Sequence, residues 1–236
     1  MVSAGEDMKD WVYELACTGA AQREGEARAW SEAATGAWKA LPGLAALDIY
    51  RPIAGGAHDP FNDDGPGPLF IAMLAFPVRE ALERAIAAPA FAASLGGRPG
   101  GLAFTGSSFE RHFYPVAGEA QPSPLTAPFS YVVRYHKPAQ DEAAFIKNYV
   151  DTHPPTLATL PGIRSVMCYF PLPVRTDGVA PADYMIGNEV VFDDVAAFNT
   201  AMQSLVRQEL RRHFREFPSF SGRNTHFAMN RTRRVG

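Results

Sequence analysis

One histidine stands where it could move a proton. His153 follows Tyr149 by four residues and precedes Leu157 by four, and Phe145 and Leu160 extend the row. A helix there puts the imidazole on an inward, apolar stripe. Pro154 and Pro155 follow directly. A proline disfavours helical geometry in the residue before it and lacks a backbone donor. The helix is therefore predicted to kink or restart at His153, with Thr152 as a cap, leaving room beside the ring. Imidazole suits proton transfer near neutral pH, and burial keeps it neutral. In this reading His153 is the catalytic acid/base and borders a pocket of at least a few hundred Å³, a typical small-ligand size. The competing reading is a ring bonded to a backbone carbonyl that seals the kink.

Other polar residues could share that space. Tyr131, Val133 and Tyr135 alternate along one segment, with Val132, Arg134 and His136 between them. In a strand one set must face the helices and the other must face away; the residues do not say which. Tyr149, Tyr131, Tyr135, Tyr169, Asn188 and His226 are the substrate-positioning candidates, with aromatic core packing as the competing reading. Tyr50 echoes Tyr169 earlier in the chain, which pulls that pair toward a structural role. His58, Asp59, Asn62, Asp63 and Asp64 crowd one loop without the ligand spacing of a calcium loop, so a solvated flap is expected and no metal. Arg207, Arg211, Arg212 and Arg215 read as a solvated helix face, and Arg231, Arg233 and Arg234 as a frayed tail. Cys17 and Cys168 read as small core residues, with no CxxC and no disulfide framework. No HExxH, P-loop, nucleophile elbow or dinucleotide fingerprint is present.

The elements that hold these residues come in a repeated order. Leu41-Pro42-Gly43 opens a strand-like run ending Ile49-Tyr50-Arg51-Pro52; Leu160-Pro161-Gly162, 119 positions later, opens one ending Cys168-Tyr169-Phe170-Pro171. Such internal repeats must be read before any fold. At that offset His153 falls opposite Ala34, so one site is expected, in the second half, with the first half as a structural partner. In the first half, strands are predicted over 11–16, 44–51, 69–76 and 109–116, and helices over 23–40 and 77–95. The second half gives strands over 130–136, 162–170, 184–192 and 224–231, and helices over 141–160 and 195–217. Phe76 and Phe104 are matched with Phe192 and Phe220 at an offset of 116. The proline-rich segment 117–128 reads as a linker. The domains are thus 8–116, a degenerate first repeat; 117–128, the linker; and 129–232, the second repeat. The order βαββαβ is the ferredoxin-like split βαβ motif, a four-stranded antiparallel sheet with both helices on one face. The bare faces must be buried. The predicted fold is α+β: two tandem units whose sheets pack face to face into an α/β-barrel.

Composition excludes several classes. A chain of 236 residues with 47% hydrophobic and 20% charged residues is that of a globular protein. A formal charge of −3 gives no case for nucleic acid or an acidic membrane. No apolar run reaches the roughly 18 residues of a membrane helix. The first ten residues carry acids where a signal peptide would be basic and then apolar, so a cytoplasmic location is expected.

The stretch Phe145, Tyr149, His153-Pro154 and Leu160-Pro161-Gly162 resembles EthD-like members of the dimeric α/β-barrel superfamily, over about 129–232. Trp30 to Pro52 echoes it more weakly. The resemblance implies that two units normally paired between chains pair here within one, as an intrachain pseudo-dimer that could form a further homodimer. It also implies a small-molecule enzyme, an oxidoreductase or lyase, acting on an aromatic or polyketide-like substrate by oxidation, isomerisation or decarboxylation. No cofactor is expected, with haem held by His153 as the alternative. The rival class is a non-catalytic or stress-associated barrel that only holds a hydrophobic ligand.

Overall fold

The computed structural model describes residues 8–65, 67–123 and 125–236; the first seven residues, Pro66 of the loop and Pro124 of the linker lie outside the described residues. The chain runs β1 (Lys9–Thr18), α1 (Glu24–Trp38), β2 (Ala46–Pro52), β3 (Phe70–Phe76), α2 (Arg79–Ala87), α3 (Pro89–Ser94) and β4 (Ala103–Tyr114). It continues through β5 (Phe129–His136), α4 (Glu142–Leu157), β6 (Ser165–Leu172), a short β7 (Ala180–Pro181), β8 (Tyr184–Phe192), α5 (Val195–Met202), α6 (Leu205–Glu216) and β9 (Asn224–Val235). Eight strands close into one barrel in the order β1-β3-β2-β9-β5-β8-β6-β4, with β4 returning to β1. Four consecutive neighbours, β4-β1-β3-β2, come from the first half, and β9-β5-β8-β6 from the second. The halves meet edge to edge, through the antiparallel pairs β2–β9 and β4–β6. Hydrogen-bonded closure takes the place of the expected face-to-face packing, because joining two twisted sheets at both edges leaves no strand edge unpaired.

The two Leu-Pro-Gly turns do the same work in each half. Gly43 and Gly162 take φ of +79° and +74°, which glycine reaches without a Cβ penalty, and each leads from a helix end into the next strand.

Alternation along the strands separates three cores. Outside the barrel, one apolar layer lies under α1, α2 and α3, including Trp30, Trp38, Phe70 and Phe91. A second lies under α4, α5 and α6, including Tyr135, Phe145, Tyr149 and Phe198. The third fills the barrel and carries buried charges. Arg134 meets Glu14 at 2.5 Å, and Arg231 meets Asp48 at 2.9 Å. Gly187 leaves room for Arg134, whose Nη1 an added Cβ would approach to 2.7 Å and whose Cδ to 2.9 Å. The tail arginines are therefore part of the barrel wall: Arg231 and Arg233 both bond Asp48 across the β2–β9 seam. Cys17 and Cys168 are buried, and burial lifts their thiols to about 11 and about 12, as expected of core residues.

Four expectations about elements change. The 77–95 helix breaks at Ala88, ahead of Pro89, which cannot supply the next helical donor. The 195–217 helix breaks at Gln203-Ser204, where the Ser204 hydroxyl bonds the Ala201 carbonyl; the break turns Leu205 out to 79% exposure. α4 runs unbroken through Pro154 and Pro155. There Thr152 is not a cap; its hydroxyl bonds the Asn148 carbonyl, while Thr156 bonds that of Thr152. Finally, Phe220 lies outside the last strand. Pairing sets Phe104 opposite Cys17 and Asn224 opposite Tyr135, so Asn224 is the counterpart of Phe104.

Candidate functional site

β5 presents Tyr131, Val133 and Tyr135 to the helices, and sends Val132 and Arg134 into the barrel. Val133 pairs with Asn188 on β8 and with His226 on β9, so these three side chains form one row across the sheet. α4 lays His153 over this row, and α6 flanks it. Between them is a cavity of about 50 Å³, or about 520 Å³ when the open space out to its rim is counted. The smaller figure measures what the closed site holds. It is room for a few waters, not for the ligand-sized pocket expected beside His153.

His153 is 7% exposed, and its Nδ1 has no hydrogen-bond partner among the described residues. Its ring lies 4.9 Å from Tyr149 and 5.2 Å from Phe217. Burial, then the neighbouring His213, Arg207 and His226, push its pKa down to about 3. The imidazole is neutral at any ordinary pH, and the unbroken helix gives it no carbonyl to seal.

The candidates divide cleanly. Tyr131, Tyr135, His153, Asn188 and His226 line the cavity, together with Asn224. Tyr149 stands behind His153, its hydroxyl accepting from Asn188 Nδ2. Tyr169 does not join them. It faces the barrel interior, where its hydroxyl and that of Tyr50 both donate to Glu189. Residue parity decides this: Tyr169 sits on the inward face of β6, beside the equally buried Met167.

Two expectations about charged residues reverse. Asp59 is buried, not on a solvated flap. It accepts two hydrogen bonds from Arg207 Nη2 at 2.8 Å, one from the Tyr131 hydroxyl at 2.9 Å, one from Asn62 and one from the Phe61 amide. Burial alone would raise its pKa; Arg207 and these donors outweigh that and hold the carboxyl below its ordinary value. Arg207 in turn is on the buried side of α6. Its spacing from Leu210 and Phe214, three and seven, was the signal that it shared their stripe. The loop carrying Asp59 belongs to the first half, so that half is more than a structural partner: it completes the cavity of the second. Asp64 of the same loop meets His226 Nδ1 at 2.7 Å. No cluster of metal-ligating side chains occurs among the described residues, and no described helix is long and apolar enough to cross a membrane.

No protein-family model matches the chain, and no curated protein matches it in sequence. Solved structures do match. An "anthrone oxidase-like protein" aligns at 13% identity and TM-score 0.65, over 96% of this chain and 92% of that one. A "putative monooxygenase" from Fusobacterium nucleatum subsp. nucleatum ATCC 25586 aligns at 9% and 0.57, over 98% and 97%. Another from Lactobacillus acidophilus NCFM aligns at 11% and 0.52, over 97% of both chains. Chlorite dismutases, such as that of Candidatus Nitrospira defluvii (14%, TM-score 0.45, 95% and 92%), also align. The expectation of no cofactor does not stand. The described residues do not fit a haem at His153, however. The cavity there is about 50 Å³ and the ring is packed between Tyr149 and Phe217, against the roughly 300 Å³ of even a modest ligand site. At these identities the likeness is one of fold alone: an α+β chain whose eight strands close into a barrel.

Proposed function

We propose that this chain is a small-molecule-binding barrel whose second-half cavity, about 50 Å³ at rest, widens to hold an aromatic or polyketide-like compound. The observation that carries the reading is the unpaired Nδ1 of His153, buried beside a cavity that Asn188 also lines. A buried polar atom without a partner costs stability, and a ligand hydroxyl or carbonyl is the partner this one lacks. His153, Tyr131, Tyr135, Asn188 and His226 are the proposed contacts. Tyr149 orients Asn188, and Tyr169 is left to the barrel core.

The reading includes the origin of the site. Residues 8–116 and 129–232 are proposed as duplicated βαββαβ units joined by 117–128, the second of the EthD-like kind. The repeated strand order and the paired Leu-Pro-Gly turns support it.

A second reading, turnover of the bound compound in an oxidoreductase-type reaction, is favoured by the Tyr131–Asp59–Arg207 cluster beside a neutral imidazole. At a pKa of about 3 His153 is a weak resting base, so binding comes before chemistry in this proposal.

Ligand-observed NMR on the full chain with hydroxynaphthalenes and hydroxyanthraquinones tests the binding reading. Saturable binding is expected, weakened at least about tenfold in His153→Leu and in Asn188→Ala. Equal binding to both variants would end it. Oxygen uptake with an anthrone that binds tests the second reading.

A further inference from the structure

Among the charged side chains that line the cavity, one arginine has no carboxylate partner among the described residues. From the first-half loop comes Asp59, and from α6 come Arg207 and Arg211. Asp59 and Arg207 neutralise each other at 2.8 Å. From β9 comes His226, paired with Asp64. From α4 comes His153, which is neutral. Behind it on α6 is His213, whose Nε2 meets Glu209 at 3.0 Å. Arg211 is left over. It pairs with no carboxylate among the described residues, and its Nε has no hydrogen-bond partner. Its guanidinium lies 5.5 Å from the ring of Phe61 and 5.1 Å from that of Phe214. Phe61, 39% exposed, belongs to the loop that covers the cavity.

We propose that the ligand of this cavity is a small aromatic monoanion, a ring bearing one carboxylate or one ionised hydroxyl, received by Arg211. The proposal rests on the ligand-binding reading and names the class of ligand. A planar anion suits a guanidinium fork, and a ring suits the aromatic faces beside it. A single anionic group supplies the charged partner that Arg211 lacks among the described residues. The cavity of about 50 Å³ must widen for a ring.

The test compares benzoate with its neutral isostere benzamide on the full chain, by calorimetry and by the NMR titration of the His153 ring. Benzoate should bind at least about tenfold tighter, lose that advantage as salt is added, and raise the His153 pKa; benzamide should do neither. In Arg211→Gln the ratio of affinities should fall to about one, whereas Arg211→Lys should keep most of it. If Arg211→Gln does not fold, Arg211→Met, which keeps the stem packed on Phe61 and Phe214, carries the same expectation. Equal binding of the two compounds to the wild type overturns the proposal and leaves the ligand-binding reading standing. A benzoate preference that survives in the folded neutral variant overturns the assignment to Arg211. Binding of neither compound at millimolar concentration overturns this proposal and the ligand-binding reading together.

Discussion

The two helix layers of this barrel share a scaffold and differ in what fills it. Tyr13 and Tyr131 occupy the same rank, since Trp11 pairs with Phe76 as Phe129 pairs with Phe192. In the first layer the Tyr13 ring packs edge-on against Phe91 at 5.2 Å. In the second, Tyr131 bonds Asp59, which Arg207 holds. Phe91 and Arg207 are each the third residue of the helix that follows a break. Where the first layer has Ala34, Ala72 and Gly106, the second has His153, Asn188 and His226. Trp30, Trp38, Phe70 and Phe104 close the first layer as an aromatic cluster with ring centroids 5.0 to 6.3 Å apart. A few side chains, changed on one backbone design, separate a packed core from a polar cavity. Packing density makes that choice sharp, because a filled layer has no space to share with a ligand.

The ion pair gives the largest way to break this contrast. Arg207→Ala leaves the Asp59 carboxylate buried and unpaired, and should cost about 3–5 kcal/mol in denaturant unfolding. The double variant Asp59→Ala, Arg207→Phe copies the first layer and should recover most of that loss. If single and double are equally unstable, Phe91 and Arg207 are not interchangeable solutions to one position.

The reverse exchange is smaller. Ala34→His forces an imidazole into the aromatic cluster and should lower stability by about 1–3 kcal/mol, read as a drop in melting temperature. An undiminished melting temperature would mean that the first layer holds hidden space.

Acid sharpens the comparison by a further step. His153 has an ordinary value near 6.5 and a folded value of about 3. As pH falls the unfolded chain takes the proton first. The associated stability is therefore complete above about pH 6.5 and is lost toward pH 3, at a rate approaching about 1.4 kcal/mol per pH unit. His153→Leu should flatten the stability profile between pH 6.5 and 5. Asp59, held below its ordinary value, contributes stability that is lost only in the carboxylate range beneath this window. At neutral pH His153→Leu should stay within about 1 kcal/mol of wild type, since it removes an unsatisfied nitrogen while keeping most of the volume.

Much of this arrangement was legible in the residues. The helical row Phe145, Tyr149, His153 and Leu157 did put His153 inward, because a 3.6-residue period fixes a face. The strand order followed from the repeated turns. Parity on β5 and β6 was not legible: alternation says that Tyr131 and Val132 face opposite ways, but only closure of the barrel says which way is in. Tyr169 was misplaced for that reason. Asp59 and Arg207 are 148 positions apart, and each alone looks like a solvated charge, so local pattern does not reveal their pairing. The two prolines after His153 predict a break, yet packing of α4 against the sheet and α6, with Thr152 and Thr156 bonding carbonyls one turn back, holds the helix through them.

By itself, then, the sequence determined the elements, their repeated order and the inward histidine, since these rest on local periodicity and on glycine and proline geometry. The tertiary structure decided what surrounds that histidine. Edge-to-edge closure put the β2–β3 loop of one half over the helices of the other. The charge balance of the cavity, its small volume and the unpaired Arg211 all follow from that long-range contact, which no local pattern encodes.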